Sequence, residues 1–183
     1  TEKEAEKTLS LLWDYLEDLG TGIDRKDPQT WEDDRWPTSA HGGILPSYGI
    51  GHSESQWFLR SIPNVKKAFA KIWGTDELLT SFDGVSLWRP WNINPSWKTE
   101  SGQSWFHIDQ HPITRPGKQC IQGLVNLLPT SQDIGGNVVV PGSHRFFKNI
   151  PSEYKERLAK LPLGIDHFRF PNDDTASFPR HLV

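Results

Sequence analysis

Ala5, Leu9, Leu12, Leu16 and Leu19 recur at intervals of four, three, four and three residues, which is the period of one helical face, and Gly20 ends the run. The spacing predicts a first helix whose role is packing. Over residues 21–51 the periodicity vanishes, and Pro28, Pro37, Pro46 and several glycines predict a long ordered loop anchored by Trp31 and Trp36. Ser53 is placed to cap a short helix carrying Trp57. A further helix is predicted from Pro63 through Val65, Phe69 and Ile72 to Gly74.

After Gly74 the pattern changes to the two-residue period of strands. Residues 79–82 and 85–89 flank Asp83-Gly84 and predict a hairpin with a tight turn. Residues 105–109, 119–128 and 137–140 predict further strands, closed by Pro112, Pro129 and Pro141. Residues 151–161 read as helical again. Short strands with turn signals at intervals of roughly 8 to 12 residues predict an antiparallel sandwich or barrel. The expected fold is mostly β with a helical N-terminal extension: one domain over residues 1–183, with the extension at 1–78 and the β core at 79–183.

Composition narrows the function classes. The 183 residues carry 20 basic and 23 acidic side chains, a formal charge of -3, and form no basic stripe for a phosphate backbone, so nucleic acid is not an expected partner. No apolar run approaches the roughly 20 residues of a membrane helix, so no membrane span is expected. A single cysteine, Cys120, allows neither an internal disulfide nor a cysteine-based zinc site and predicts a cytoplasmic or organelle-interior location. Nine tryptophans are heavy usage, and those at 31, 36, 88, 91 and 97 favour an aromatic or lipid-like ligand. There is no methionine, not even an initiator, which predicts that these residues belong to a longer polypeptide.

The stretch richest in chemistry is Trp105-Phe106-His107-Ile108-Asp109-Gln110-His111-Pro112. Residues two apart on a strand share a face about 6.6 Å apart, so His107 and Asp109 can bring a nitrogen and an oxygen to one metal ion. His-x-Asp supplies two members of the two-histidine, one-carboxylate face that leaves positions open on Fe(II). His111 shares that face but lies about 13 Å along a regular strand, too far for a bond of about 2 Å. Cys120 reads as a buried small apolar residue, Lys66-Lys67 as a solvated helix face, and Arg89 as an ion-pair partner or a group reaching an anionic substrate. Gln103 and Ser104 precede the His-x-Asp stretch and could touch a cosubstrate.

A second stretch, Gly135-Gly136-Asn137-Val138-Val139-Val140-Pro141-Gly142-Ser143-His144-Arg145, follows Gln122-Gly123-Leu124-Val125-Asn126-Leu127-Leu128-Pro129. With His107-x-Asp109-x-His111-Pro112, this order resembles the phytanoyl-CoA dioxygenase family over about residues 79–150. The resemblance implies a double-stranded β-helix, the cupin type of jelly roll, and an oxygenase dependent on Fe(II) and 2-oxoglutarate. It implies His107 and Asp109 as metal ligands projecting into the barrel interior. It also implies that His144 belongs to a turn, because the family's distal histidine arrives several strands later and is followed about ten residues on by a 2-oxoglutarate-binding arginine. His167 and His181 are the remaining downstream histidines. Neither has an arginine at that spacing on a further strand; Arg180 follows His167 by thirteen residues, with Pro171 and Pro179 between.

The iron site therefore reads as half encoded. Three explanations stand: the last strands are missing from this sequence, they lie on another chain, or the chain is a degenerate relative that no longer binds iron. The leading expectation is an oxygenase that hydroxylates a small organic or lipid-like substrate and releases succinate and CO2. The alternatives are a non-catalytic cupin-type binding domain and, with less behind it, a cupin that uses zinc or another metal for hydrolysis.

Overall fold

The computed structural model describes residues 1–99, 106–131, 134–162, 164–171 and 181–182. The chain forms two compact units, Thr1–Thr99 with Asn126–Leu128, and Glu100–Val125 with Pro129–Val183. No helix among the described residues is long and apolar enough to cross a membrane.

In the first unit the leading helix, α1 (Glu2–Asp18), opens on a capping box in which the Thr1 hydroxyl accepts from the Glu4 amide and the Glu4 side chain reaches back to Thr1. Its predicted face is the buried one. Leu12 and Leu16 are 2% and 0% exposed and pack with Ile23, Trp36, Leu45 and Ile50. Trp31 and Trp36 anchor the following loop as expected: the Trp13, Trp31 and Trp36 rings lie 5.1 to 6.4 Å apart over this core. The Ser53 hydroxyl caps α2 (Glu54–Ser61), and the buried Ser55 hydroxyl donates to the Thr8 carbonyl at 2.9 Å, so α1 and α2 meet through a satisfied polar contact. Helix α3 (Pro63–Trp73) starts on its proline and ends at Gly74, whose φ of 73° is the left-handed conformation that stops a helix.

The predicted hairpin over residues 79–89 does not form. Strand β2 (Val85–Ser86) pairs instead, antiparallel, with β1 (Ile44–Leu45) inside the predicted loop, and the Leu87 amide extends this pairing to the Gly43 carbonyl at 2.6 Å. Leu79 is fully exposed. Gly84 is the reason: a Cβ there would stand 2.2 Å from the Leu45 carbonyl oxygen, so this glycine serves the approach of two backbones rather than a hairpin turn. Phe82 is held close by stacking on His52, with ring centroids 3.9 Å apart. The change of period near Leu79 thus falls within the first unit.

The second unit carries β3 (His107–Ile108), β4 (Val138–Val139), α4 (Ile150–Glu153), α5 (Lys155–Leu158), β5 (Phe168–Arg169) and β6 (His181–Leu182). The pairs are antiparallel, β3 with β5 and β4 with β6. Helical character over residues 151–161 is present, as two single turns. The predicted strand over residues 119–128 makes no ladder among the described residues, and Cys120, expected to be buried, is exposed because that segment has no sheet face to pack. The core consists of Ile150, Leu158, Phe168 and Phe170, with Tyr154 against both phenylalanines at 5.2 and 5.5 Å. The strands of the described residues are two residues long and stand in three separate two-stranded sheets, which do not close into a barrel.

Two outcomes test these contacts. Gly84→Ala should lower stability by about 1–3 kcal/mol, since the new methyl must displace the backbone of β1; denaturant unfolding of the variant measures it. The Glu17 carboxyl accepts from the Arg25 amide at 2.8 Å and from the Arg25 guanidinium at 2.6 to 3.1 Å, and these hydrogen bonds hold its pKa at about 2. A pKa lowered in the folded state stabilises above the unfolded value near 4.5, and the contribution disappears as pH falls toward about 2. Glu17→Gln should therefore flatten the loss of thermal stability over that interval, while a variant with the wild-type slope would show that the pair does not act.

Candidate functional site

The β3–β5 pair sorts the side chains of the His-x-Asp stretch. Residues directly opposite one another in an antiparallel pair share a face; Ile108 stands opposite Phe168, and His107 opposite Arg169. The Ile108 and Phe168 face joins the core, with Phe168 1% exposed. His107 and Arg169 therefore emerge on the other face, and Asp109, two residues beyond His107, follows it. His107 Nε2 lies 3.3 Å from Asp109 Oδ1, so the expected convergence of the two side chains is present. They are 35% and 44% exposed, which differs from the expected enclosure in a barrel interior: hydrophobic burial claims the other face of the strand.

Downstream of Asp109 the backbone turns, and three side chains clamp the turn. Gln110 Nε2 donates to the Arg115 and Gly117 carbonyls at 2.5 and 2.6 Å. His111 Nδ1 accepts from the Ile113 and Thr114 amides, each at 3.2 Å, which places the ring proton on Nε2. Arg115 pairs with Asp166 at 3.1 Å, joining the turn to the segment that leads into β5. His111 is thus a turn residue.

The remaining candidates disperse. His144 lies in a single 3-10 turn, Ser143–Arg145, entered through Gly142 at φ 80°, and is exposed. His167 is exposed one residue before β5, and His181 lies on β6 opposite Val139. Among the described residues no three of His, Cys, Asp and Glu come together as a metal-holding group. Gln103, Ser104, Trp105 and Arg180 lie outside the described residues. Arg89 is structural: its guanidinium donates to the Trp31 carbonyl at 2.6 Å, pairs with Asp33, and lies over the Trp36 and Trp97 rings at 5.4 and 4.7 Å.

The geometry of His107 and Asp109 suits two related purposes, a histidine–carboxylate hydrogen bond or two neighbouring ligands of one ion. Ligands about 2.1 Å from a metal at right angles stand roughly 3 Å apart, and this N···O separation is close to that.

Two curated proteins are similar to this chain. An Aspergillus versicolor protein named "Ava biosynthesis cluster protein O" is 36% identical over 143 residues, covering 78% of this chain and 44% of its own length. A Dictyostelium discoideum protein named "Putative phytanoyl-CoA dioxygenase" is 27% identical over 183 aligned positions, covering 80% of this chain and 51% of its own length. The homologues include a protein named for a dioxygenase. The chain spans about half the length of the curated relatives it matches. No family model and no solved structure matches it.

Two residues of this face have no signature in the sequence. Gln122 Nε2 donates to Asp109 Oδ2 at 3.1 Å across thirteen residues of chain, and Arg169 reaches the same face through the register of β5. A periodicity argument sees neither, because both placements depend on long-range folding. The assignment of His111 to the turn predicts that His111→Ala will cost about 1 kcal/mol for each backbone amide left unpaired; thermal unfolding of the variant measures it.

Proposed function

We propose that this chain carries two of the protein ligands of an oxygenase dependent on Fe(II) and 2-oxoglutarate, which hydroxylates a small organic or lipid-like substrate and releases succinate and CO2. The observation that carries the reading is the 3.3 Å approach of His107 Nε2 to Asp109 Oδ1 on the open face of the β3–β5 pair. The dioxygenase name borne by one homologue supports the reaction class. In this reading the third protein ligand comes from outside the described residues, and so do the strands that would close a double-stranded β-helix over the open face.

The donor set fits the ion. A neutral imidazole and a carboxylate are the borderline and hard ligands that a divalent first-row metal takes, and both side chains are exposed enough for an ion to reach them. His107 and Asp109 would hold Fe(II). Bound together with 2-oxoglutarate, that metal supplies oxidative decarboxylation of the cosubstrate coupled to oxidation of a substrate C–H bond. The chain's own contribution is to hold. The Ile108 and Phe168 side chains lock the strand in register, so that the imidazole and the carboxylate leave it on one side. The clamped turn after Asp109 fixes where the strand ends.

His107→Ala or Asp109→Ala should abolish Fe(II)-dependent formation of succinate from 2-oxoglutarate in the full-length protein, since each removes one ligand from a modestly held ion. His144→Ala should keep Fe(II) affinity and lose at most about 1 kcal/mol of stability. Loss of iron in His144→Ala as complete as in His107→Ala would replace the present reading with a His107, Asp109, His144 site. A wild-type protein that binds no Fe(II) would return the non-catalytic binding domain.

A further inference from the structure

We propose that Gln122 is a positioning residue for the Asp109 carboxylate, turning one oxygen toward the place where a divalent cation would sit. The inference rests on the metal reading given above and concerns a residue that touches neither the ion nor a substrate. A carboxylate rotates readily about its Cβ–Cγ bond, and Asp109, 44% exposed at the end of a two-residue strand, has no burial to stop it. What stops it is a pair of contacts on its two oxygens: Oδ2 accepts from Gln122 Nε2 at 3.1 Å, and Oδ1 faces His107 Nε2 at 3.3 Å. An ionised carboxylate only accepts hydrogen bonds, so the amide must present its NH2 group there; the assignment of the Gln122 amide follows from chemistry.

The residue type matters as much as the distance. A lysine or arginine at this point would also fix the carboxylate, but its charge would repel an arriving cation and neutralise the negative charge that attracts one. The neutral amide orients Asp109 and adds no further cation to the face on which Arg169 already emerges. Removing such a partner of a metal-ligating carboxylate ordinarily weakens metal binding by about 10- to 100-fold. Gln122 is itself exposed, in a segment without ladder bonds among the described residues, so its loss leaves no cavity in the core.

The test uses Co(II) as the probe in the full-length protein, with three readings: affinity, the visible absorption of bound Co(II), and the thermal midpoint of the metal-free protein. Gln122→Leu keeps the bulk and removes the donor, and Gln122→Ala removes both. Each should bind Co(II) about 10- to 100-fold more weakly with an altered visible spectrum, and the metal-free midpoint should stay at the wild-type value. Asp109→Ala should abolish binding. If both Gln122 variants keep wild-type affinity and spectrum while Asp109→Ala loses the metal, the positioning role is wrong and the metal site stands. If Gln122→Leu weakens binding only in proportion to a lowered midpoint, with the spectrum unchanged, the residue is structural and the role is again overturned. If Asp109→Ala and His107→Ala both bind Co(II) as wild type does, the metal reading fails and the role of Gln122 falls with it.

Discussion

Burial of Phe168 against Ile108 decides what the second unit can do. Residues alternate between the two faces of a strand, so seating Ile108 on the core with a phenylalanine that is 1% exposed leaves His107 no choice but the opposite face, and Asp109 goes with it. A slip of one residue would reverse the arrangement, bringing the imidazole and the carboxylate into contact with Tyr154, Ile150 and Phe170 and leaving Ile108 in water. The Phe170 amide bonds the Phe106 carbonyl at 3.0 Å in the same register, so the backbone agrees with the packing. Chemistry on the open face is therefore set by hydrophobicity on the closed one.

The first unit solves a different problem, that of ordering a long proline- and glycine-rich segment. A loop of that length cannot bury its own backbone unless its polar groups find partners. Here tryptophans provide the apolar contact and Arg89 the polar one, donating to the Trp31 carbonyl while its flat guanidinium covers two indole rings. Arg25 plays a comparable part after α1, binding Glu17 and Asp14 together and tying the start of the loop to the helix that precedes it.

Local features were legible in the sequence, while features set by distant partners were not. The leucine spacing, the Ser53 cap and the Gly74 stop each act within about one helical turn, and each appears where the pattern places it. His107 and Asp109 were legible for the same reason, since their spacing is a property of one strand. Asp83-Gly84 has the composition of a hairpin turn, yet Gly84 answers to Leu45, thirty-nine residues earlier, and no local rule contains that information. The pairing of β1, the exposure of Cys120 and the approach of Gln122 to Asp109 share this character: each depends on a register fixed by the fold. The strands of the described residues are also shorter than the hydrophobic runs that announced them, because alternation marks an extended chain and only a neighbour with free backbone groups makes it a ladder.

The tryptophans have a spectroscopic consequence. Eight of the nine, at positions 13, 31, 36, 57, 73, 88, 91 and 97, fall within Thr1–Thr99, and only Trp105 belongs to the second unit. Indole fluorescence during unfolding is consequently dominated by the first unit, whose Trp13, Trp31 and Trp36 rings exchange a packed environment for water as α1 detaches. Melting of the β3–β5 pair, which carries the candidate ligands, is not what those eight indoles report. An emission curve with a single sharp transition would thus describe half of the molecule, and agreement with a second optical probe is what would make it a statement about the whole.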